Sequence, residues 1–85
     1  GWNSIKIYKK SKILDDITDD TDFYFVHSYF FSVKNRSDIH AITDYSIIFP
    51  SIVGKDNIWG TQFHPEKSSK AGFKILNNFI KLSKC

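Results

Sequence analysis

Hydrophobic and polar positions change their period along the chain, and each change marks an element. Trp2 to Tyr8 alternates, with a phase slip through Ser4, Ile5, Lys6 and Ile7, and predicts a half-buried strand. Lys9 to Asp22 is polar and acidic, with Ile13, Leu14 and Ile17 as its apolar anchors, and predicts a loop containing one helical turn. The aromatic and β-branched run from Phe23 to Val33 predicts a strand covered on both faces, at the centre of the sheet. After a turn at residues 34–38, shorter strands are predicted over Ile39 to Tyr45 and Ile47 to Val53. A hairpin turn at Gly54-Lys55-Asp56-Asn57 then leads into a strand from Ile58 to Phe63.

Pro65 lacks an amide hydrogen and disfavours helix at the residue before it, so that strand should stop at His64. Ser68 or Ser69 can cap a following helix. In that helix Ala71, Ile75, Leu76, Phe79, Ile80 and Leu82 recur at helical spacing, and Lys70, Lys74, Asn77, Asn78, Lys81 and Lys84 fill the other face. An amphipathic helix packed on a sheet follows, with Lys81 and Lys84 at its negative end.

Composition narrows the setting. Eighty-five residues, 41% hydrophobic and 16% aromatic, suit one small globular unit with a single core and no second domain. A chain of this size buries only about two-thirds of its unfolded surface, and Gly1 runs directly into the alternating segment, so a piece of a longer protein is expected. The net charge of +3, from 12 basic and 9 acidic residues, is too small and too interspersed to imply nucleic acid or an anionic membrane. The single cysteine, Cys85, excludes a disulfide framework and a paired-cysteine metal site, and a reducing cytoplasm is the default. No apolar run approaches the roughly 18 residues that span a bilayer.

The candidate chemistry lies in Gln62-Phe63-His64-Pro65-Glu66-Lys67-Ser68. One rigid proline separates His64 from Glu66 just beyond a strand end. A carboxylate beside an imidazole holds one ring nitrogen protonated and leaves the other to take a proton from a nucleophile, which is half of a triad. Cys85 is not the nucleophile: a helix of about 14 residues, rising about 1.5 Å per residue, places it far from His64. On chemistry alone a turn histidine paired with a nearby glutamate is an ordinary structural feature too.

The flanks decide between these readings. Gln62 to Ser68, followed by Gly72 and a helix carrying Leu76 and Phe79, resembles the terminal signature of class I (triad-type) glutamine amidotransferases. Gly1-Trp2-Asn3, Phe25-Val26-His27-Ser28-Tyr29, and Tyr45 with Phe49-Pro50-Ser51 resemble, in the same order, the glutaminase subunits of imidazole glycerol phosphate synthases. The resemblance covers essentially the whole chain. It implies the C-terminal portion of an α/β, flavodoxin-like glutaminase fold over residues 1–85, mixed strands ending in one C-terminal helix, with the nucleophile-bearing N-terminal half absent.

It further implies His64 as general base, Glu66 as the carboxylate that orients it, and Ser28 and Tyr29 beside the glutamine substrate. Trp2, Tyr24 and Lys67 would face a (βα)8-barrel cyclase subunit, in a cytoplasmic heterodimer that uses no cofactor and no metal and engages neither nucleic acid nor membrane. The reaction implied is glutamine to glutamate and ammonia, for imidazole glycerol phosphate synthesis in histidine biosynthesis. Without its cysteine, the chain by itself should not hydrolyse glutamine.

Other readings stand beside these. Trp2 suits a hydrophobic strand edge, Tyr24 a core position, His27 a hydrogen-bonded core histidine and Lys67 a solvated turn. A paralogous amidotransferase of surface-sugar biosynthesis would carry the same signature. A non-catalytic module would instead stack RNA on the aromatic run Phe23 to Phe31, with affinity that falls steeply with salt.

Overall fold

In the computed structural model, residues 1–25, 33–45 and 47–83 are described. The first alternating segment is not one strand but two. β1 (Trp2–Ser4) pairs antiparallel with β3 (Asp22–Tyr24), whereas β2 (Lys6–Ile7) pairs with β4 (Ile39–Tyr45) in a second sheet. The break falls at the phase slip. Ile5 is fully buried, and its backbone turns to the acidic loop, donating to Thr21 O and accepting from Asp20 N–H. A residue whose two backbone groups are satisfied by a loop cannot also continue a ladder.

The larger sheet has the order β2-β4-β5-β6, with β5 at Ile47–Lys55 and β6 at Ile58–Thr61, and every neighbouring pair is antiparallel. Its centre is therefore β4 and β5. The aromatic run expected there begins instead in the two-stranded sheet through β3; residues 26–32 lie outside the described residues. Pro50 sits within β5 without harm, because its partner Ile42 borders an irregularity in the β4–β5 register.

Two further expectations change. The β5–β6 turn is made by Asp56 and Asn57, Asp56 adopting φ 58°, while Gly54 belongs to β5. Gly54 is required by packing: an added Cβ would meet the Trp59 ring at 2.2 Å. β6 also ends at Thr61, before Phe63. Gln62 N–H still donates to Ser51 O, and Phe63 then bridges to Phe25 next to β3. The chain thus leaves the edge of one sheet and joins the other just before His64.

The helix α1 (Ser69–Ser83) follows, as its periodicity predicts, but its buried face is rotated from the expected one. Ile75 is buried, Phe79 and Ile80 are exposed, and Asn78, assigned by pattern to the polar face, is 6% exposed. The Asn78 amide donates to both Ile13 O and Asp15 O, at 2.9 Å each. The helix thereby satisfies the buried carbonyl of Ile13 in the loop's 3-10 turn, Lys12–Leu14, and the part-buried carbonyl of Asp15 just after it. Ile13, Leu14 and Ile17 anchor that loop in the core, where Ile5, Phe23, Phe25, Ala41, Phe49, Ile52, Phe63 and Ile75 complete the cluster. These are mixed antiparallel sheets closed by one C-terminal helix, in keeping with part of a class I amidotransferase α/β fold.

Candidate active site

His64 sits where the two sheets meet. Phe63 beside it is buried, its ring stacked on Phe23 at 4.2 Å between centroids and edge-on to Phe25 at 5.6 Å. Burying an aromatic side chain contributes about 1.5–3 kcal/mol, so the residue before the histidine is firmly anchored. His64 itself is extended (φ −96°, ψ 103°) and precedes a 3-10 turn, Pro65–Lys67, with the proline at its first position, where the missing amide hydrogen costs nothing. His64 N–H donates to Tyr24 O at 2.8 Å, and Lys67 N–H donates back to His64 O at 3.1 Å.

The turn brings the two candidate catalytic side chains together. His64 Nδ1 and Glu66 Oε2 are 2.9 Å apart. With the side chains 42% and 60% exposed, the pair contributes little to stability. Its effect is orientation: a carboxylate on Nδ1 favours the tautomer with the proton there and leaves Nε2 as the basic nitrogen. The hydrogen bond from His64 is the main influence holding the Glu66 carboxyl below its ordinary range. A backbone hydrogen bond within Glu66 adds to it, and the positive charge of Lys67 contributes less. Glu66 therefore stays ionised where an imidazole works as a base.

Trp2 and Tyr24 are register partners across β1 and β3, their rings edge-to-face with centroids 5.7 Å apart. Trp2 is exposed, Tyr24 half-buried and Lys67 exposed. Tyr24 is tied to the histidine turn through its backbone: its carbonyl accepts from His64 and its N–H donates to Ser68 Oγ at 2.9 Å. Ser28, Tyr29, His27 and Cys85 lie outside the described residues. Of the described aromatic run, Phe23 and Phe25 are buried in the core with Phe63, so neither ring is open to stack a base, and Tyr24 between them is half-buried against Trp2.

Two features of the site escaped the sequence. Ser68, read as a helix cap, is buried, and its hydroxyl points back to the turn, donating to His64 O at 2.6 Å. Gly72 lies so close to the turn that an added Cβ would fall 1.8 Å from Pro65 O. The sequence marked both residues only as part of the Gln62 to Gly72 signature, and nothing in it showed what either would touch. The remaining described histidine, His40, is of another kind: it is 6% exposed, its Nε2 lies 3.3 Å from Gly54 O, and its ring is tilted against Trp59. Among the described residues no group of three or more histidine, cysteine, aspartate or glutamate side chains could hold a metal ion, and no helix is long and apolar enough to cross a membrane.

Comparison with known proteins places this geometry in a family. Residues 1–82 match the family model "Glutamine amidotransferase class-I". The chain is 54% identical over 82 residues to imidazole glycerol phosphate synthase subunit HisH of Pelagibacter ubique, an alignment of 96% of this chain and 39% of that protein. It is 47% identical over 81 residues to HisH of Desulfitobacterium hafniense, covering 95% of this chain and 38% of the relative. With HisH of Methanocaldococcus jannaschii it shares 48% identity over 82 residues, 96% of this chain and 41% of the relative. The chain thus spans about two-fifths of the length of these curated relatives. With a family model matching nearly its whole length, and a paired histidine and glutamate on a proline turn at the sheet junction, the chain belongs to the class I glutamine amidotransferases.

Proposed function

We propose that these residues form the C-terminal part of a glutaminase subunit that supplies ammonia for imidazole glycerol phosphate synthesis, with His64 as its general base. The observation that carries the reading is the 2.9 Å contact between His64 Nδ1 and Glu66 Oε2 on a proline-fixed turn. The names of the relatives support the pathway. The nucleophilic cysteine comes from a part of the protein beyond these 85 residues.

In this reading Nε2 of His64 takes the proton of the cysteine thiol, and the thiolate attacks the carboxamide carbon of glutamine. The resulting imidazolium, steadied by Glu66, returns the proton to the departing nitrogen; the carbon–nitrogen bond breaks, ammonia leaves, and a thioester remains. Water, deprotonated by the same Nε2, then attacks the thioester to give glutamate and the free thiol. Ser28 and Tyr29 hold the glutamine. Trp2, Tyr24 and Lys67 face a (βα)8-barrel cyclase, the partner of a cytoplasmic heterodimer that takes up the ammonia. By themselves the 85 residues hydrolyse no glutamine.

The test is His64→Ala in the complete subunit assembled with its cyclase. Glutamine-dependent synthesis should vanish while synthesis from added ammonia persists. Equal loss of both would sink the proposal.

A further inference from the structure

We propose that Ser68 is a positioning residue for the His64–Glu66 pair, its buried hydroxyl tying the histidine turn to strand β3; this rests on the reading of His64 as the base. The hydroxyl is used in both directions. It accepts from Tyr24 N–H at 2.9 Å and donates to His64 O at 2.6 Å. Because Tyr24 O also accepts from His64 N–H at 2.8 Å, both backbone groups of Tyr24 and both of His64 are drawn into one closed clamp. From the other side α1 presses on the turn, with no room for a Cβ at Gly72 against Pro65 O. The backbone that carries the imidazole is thus held between a strand and a helix, although the imidazole itself is in solvent.

Helix capping does not account for the hydroxyl. The link from Ser68 into α1 is its carbonyl, which accepts from Gly72 N–H at 3.2 Å, while Oγ points to the turn and β3. Nor is it a generic buried serine. Ser51 is also fully buried, yet its hydroxyl has no partner. Removing the Ser51 hydroxyl strands nothing; removing that of Ser68 leaves the Tyr24 donor and one bond of the His64 acceptor unmade. A base displaced by a fraction of an ångström loses rate without losing substrate affinity.

The test compares Ser68→Ala with Ser51→Ala in the complete subunit. In Ser68→Ala, kcat for glutamine should fall by about 10- to 100-fold with KM changed by less than about twofold, and Ser51→Ala should change neither. A readout independent of turnover is the titration of the Glu66 carboxyl by NMR, which should move up toward an ordinary glutamate in Ser68→Ala as the pair loosens, and stay put in Ser51→Ala. If Ser68→Ala is less stable but leaves kcat and the Glu66 titration unchanged, the serine is merely structural and the proposal falls. Should Ser68→Ala not fold, amide exchange in the unmodified protein decides: the Tyr24 amide should be protected as well as that of Gln62, and exchange at a free-peptide rate overturns the clamp. A moved Glu66 titration in Ser68→Ala, with His64→Ala still fully active, would instead refute the general-base reading and leave the clamp standing.

Discussion

His64 and His40 occupy opposite environments only a few strands apart, and the contrast separates chemistry from architecture. His64 has a carboxylate on Nδ1, an exposed ring and a backbone fixed by four surrounding elements: Phe63, β3, the proline turn and α1. His40 has a buried ring against Trp59, a carbonyl at Nε2, and an Nδ1 with no hydrogen-bond partner. A base needs access and an orienting partner; a core residue needs burial and a satisfied donor. With Nε2–H donating to Gly54 O, the bare Nδ1 of His40 would gain a proton with nothing to receive it. Its pKa accordingly lies below that of an ordinary histidine, chiefly because burial penalises the charged form.

The sharpest way to break this comparison is to exchange the consequences of losing each ring. His64→Ala in the complete subunit should lower glutaminase kcat by about 10³-fold or more, as removal of a triad member does, and leave the denaturation midpoint nearly unmoved. His40→Ala should do the reverse, costing about 1–3 kcal/mol in urea unfolding through the lost Trp59 packing and Gly54 bond, with kcat per folded molecule unchanged. A large activity loss in His40→Ala at full stability would mean that the two sites are coupled.

Each histidine also has its own closed glycine, and these give the next largest effects. At Gly72 the obstacle is the Pro65 carbonyl, which is backbone and cannot rotate away; at Gly54 it is the Trp59 ring. Gly72→Ala should therefore destabilise by about 3 kcal/mol or more, and Gly54→Ala by about 1–3 kcal/mol as Trp59 shifts off His40. Chemical denaturation ranks the two, and tryptophan fluorescence should change more in Gly54→Ala.

The same comparison explains what the sequence could reveal. β4, β5 and the start of β6 were legible because they follow one another in sequence and pair with their neighbours across short turns. The break at Ile5 was visible as a phase slip, but its meaning depends on Thr21 and Asp20, and no local pattern announces which loop will claim a strand residue's backbone. Asn78 reads as a polar surface position until the carbonyls of Ile13 and Asp15 are placed beside it. At the site, His64 and Glu66 were evident from residue type and spacing, whereas Ser68 and Gly72 act through contacts of the backbone, which spacing does not encode. His40 carried no motif, and its burial follows from β4 lying inside the sheet.

The smallest effects are those of pH, and they should fall in separate windows. The folded-state pKa of His40 is depressed, so near and below pH 6.5 the unfolded chain binds a proton that the folded chain resists. This contribution to stability is complete above the unfolded value and is lost as pH falls through that value toward the folded one. Glu66 is depressed as well, so its contribution is present above about pH 4.5, the ordinary carboxyl value, and is lost as pH falls through its lower folded value. Because Glu66 is exposed, its step should be slight. Urea midpoints measured from pH 7.5 to 3.5 should therefore decline first near pH 6. His40→Gln should flatten that decline, whereas Glu66→Gln should leave it intact and alter only the more acidic limb. If Glu66→Gln instead removed the decline near pH 6, the exposed pair at His64 and not the buried His40 would be the acid-sensitive element, and the division of labour between the two histidines would have to be reversed.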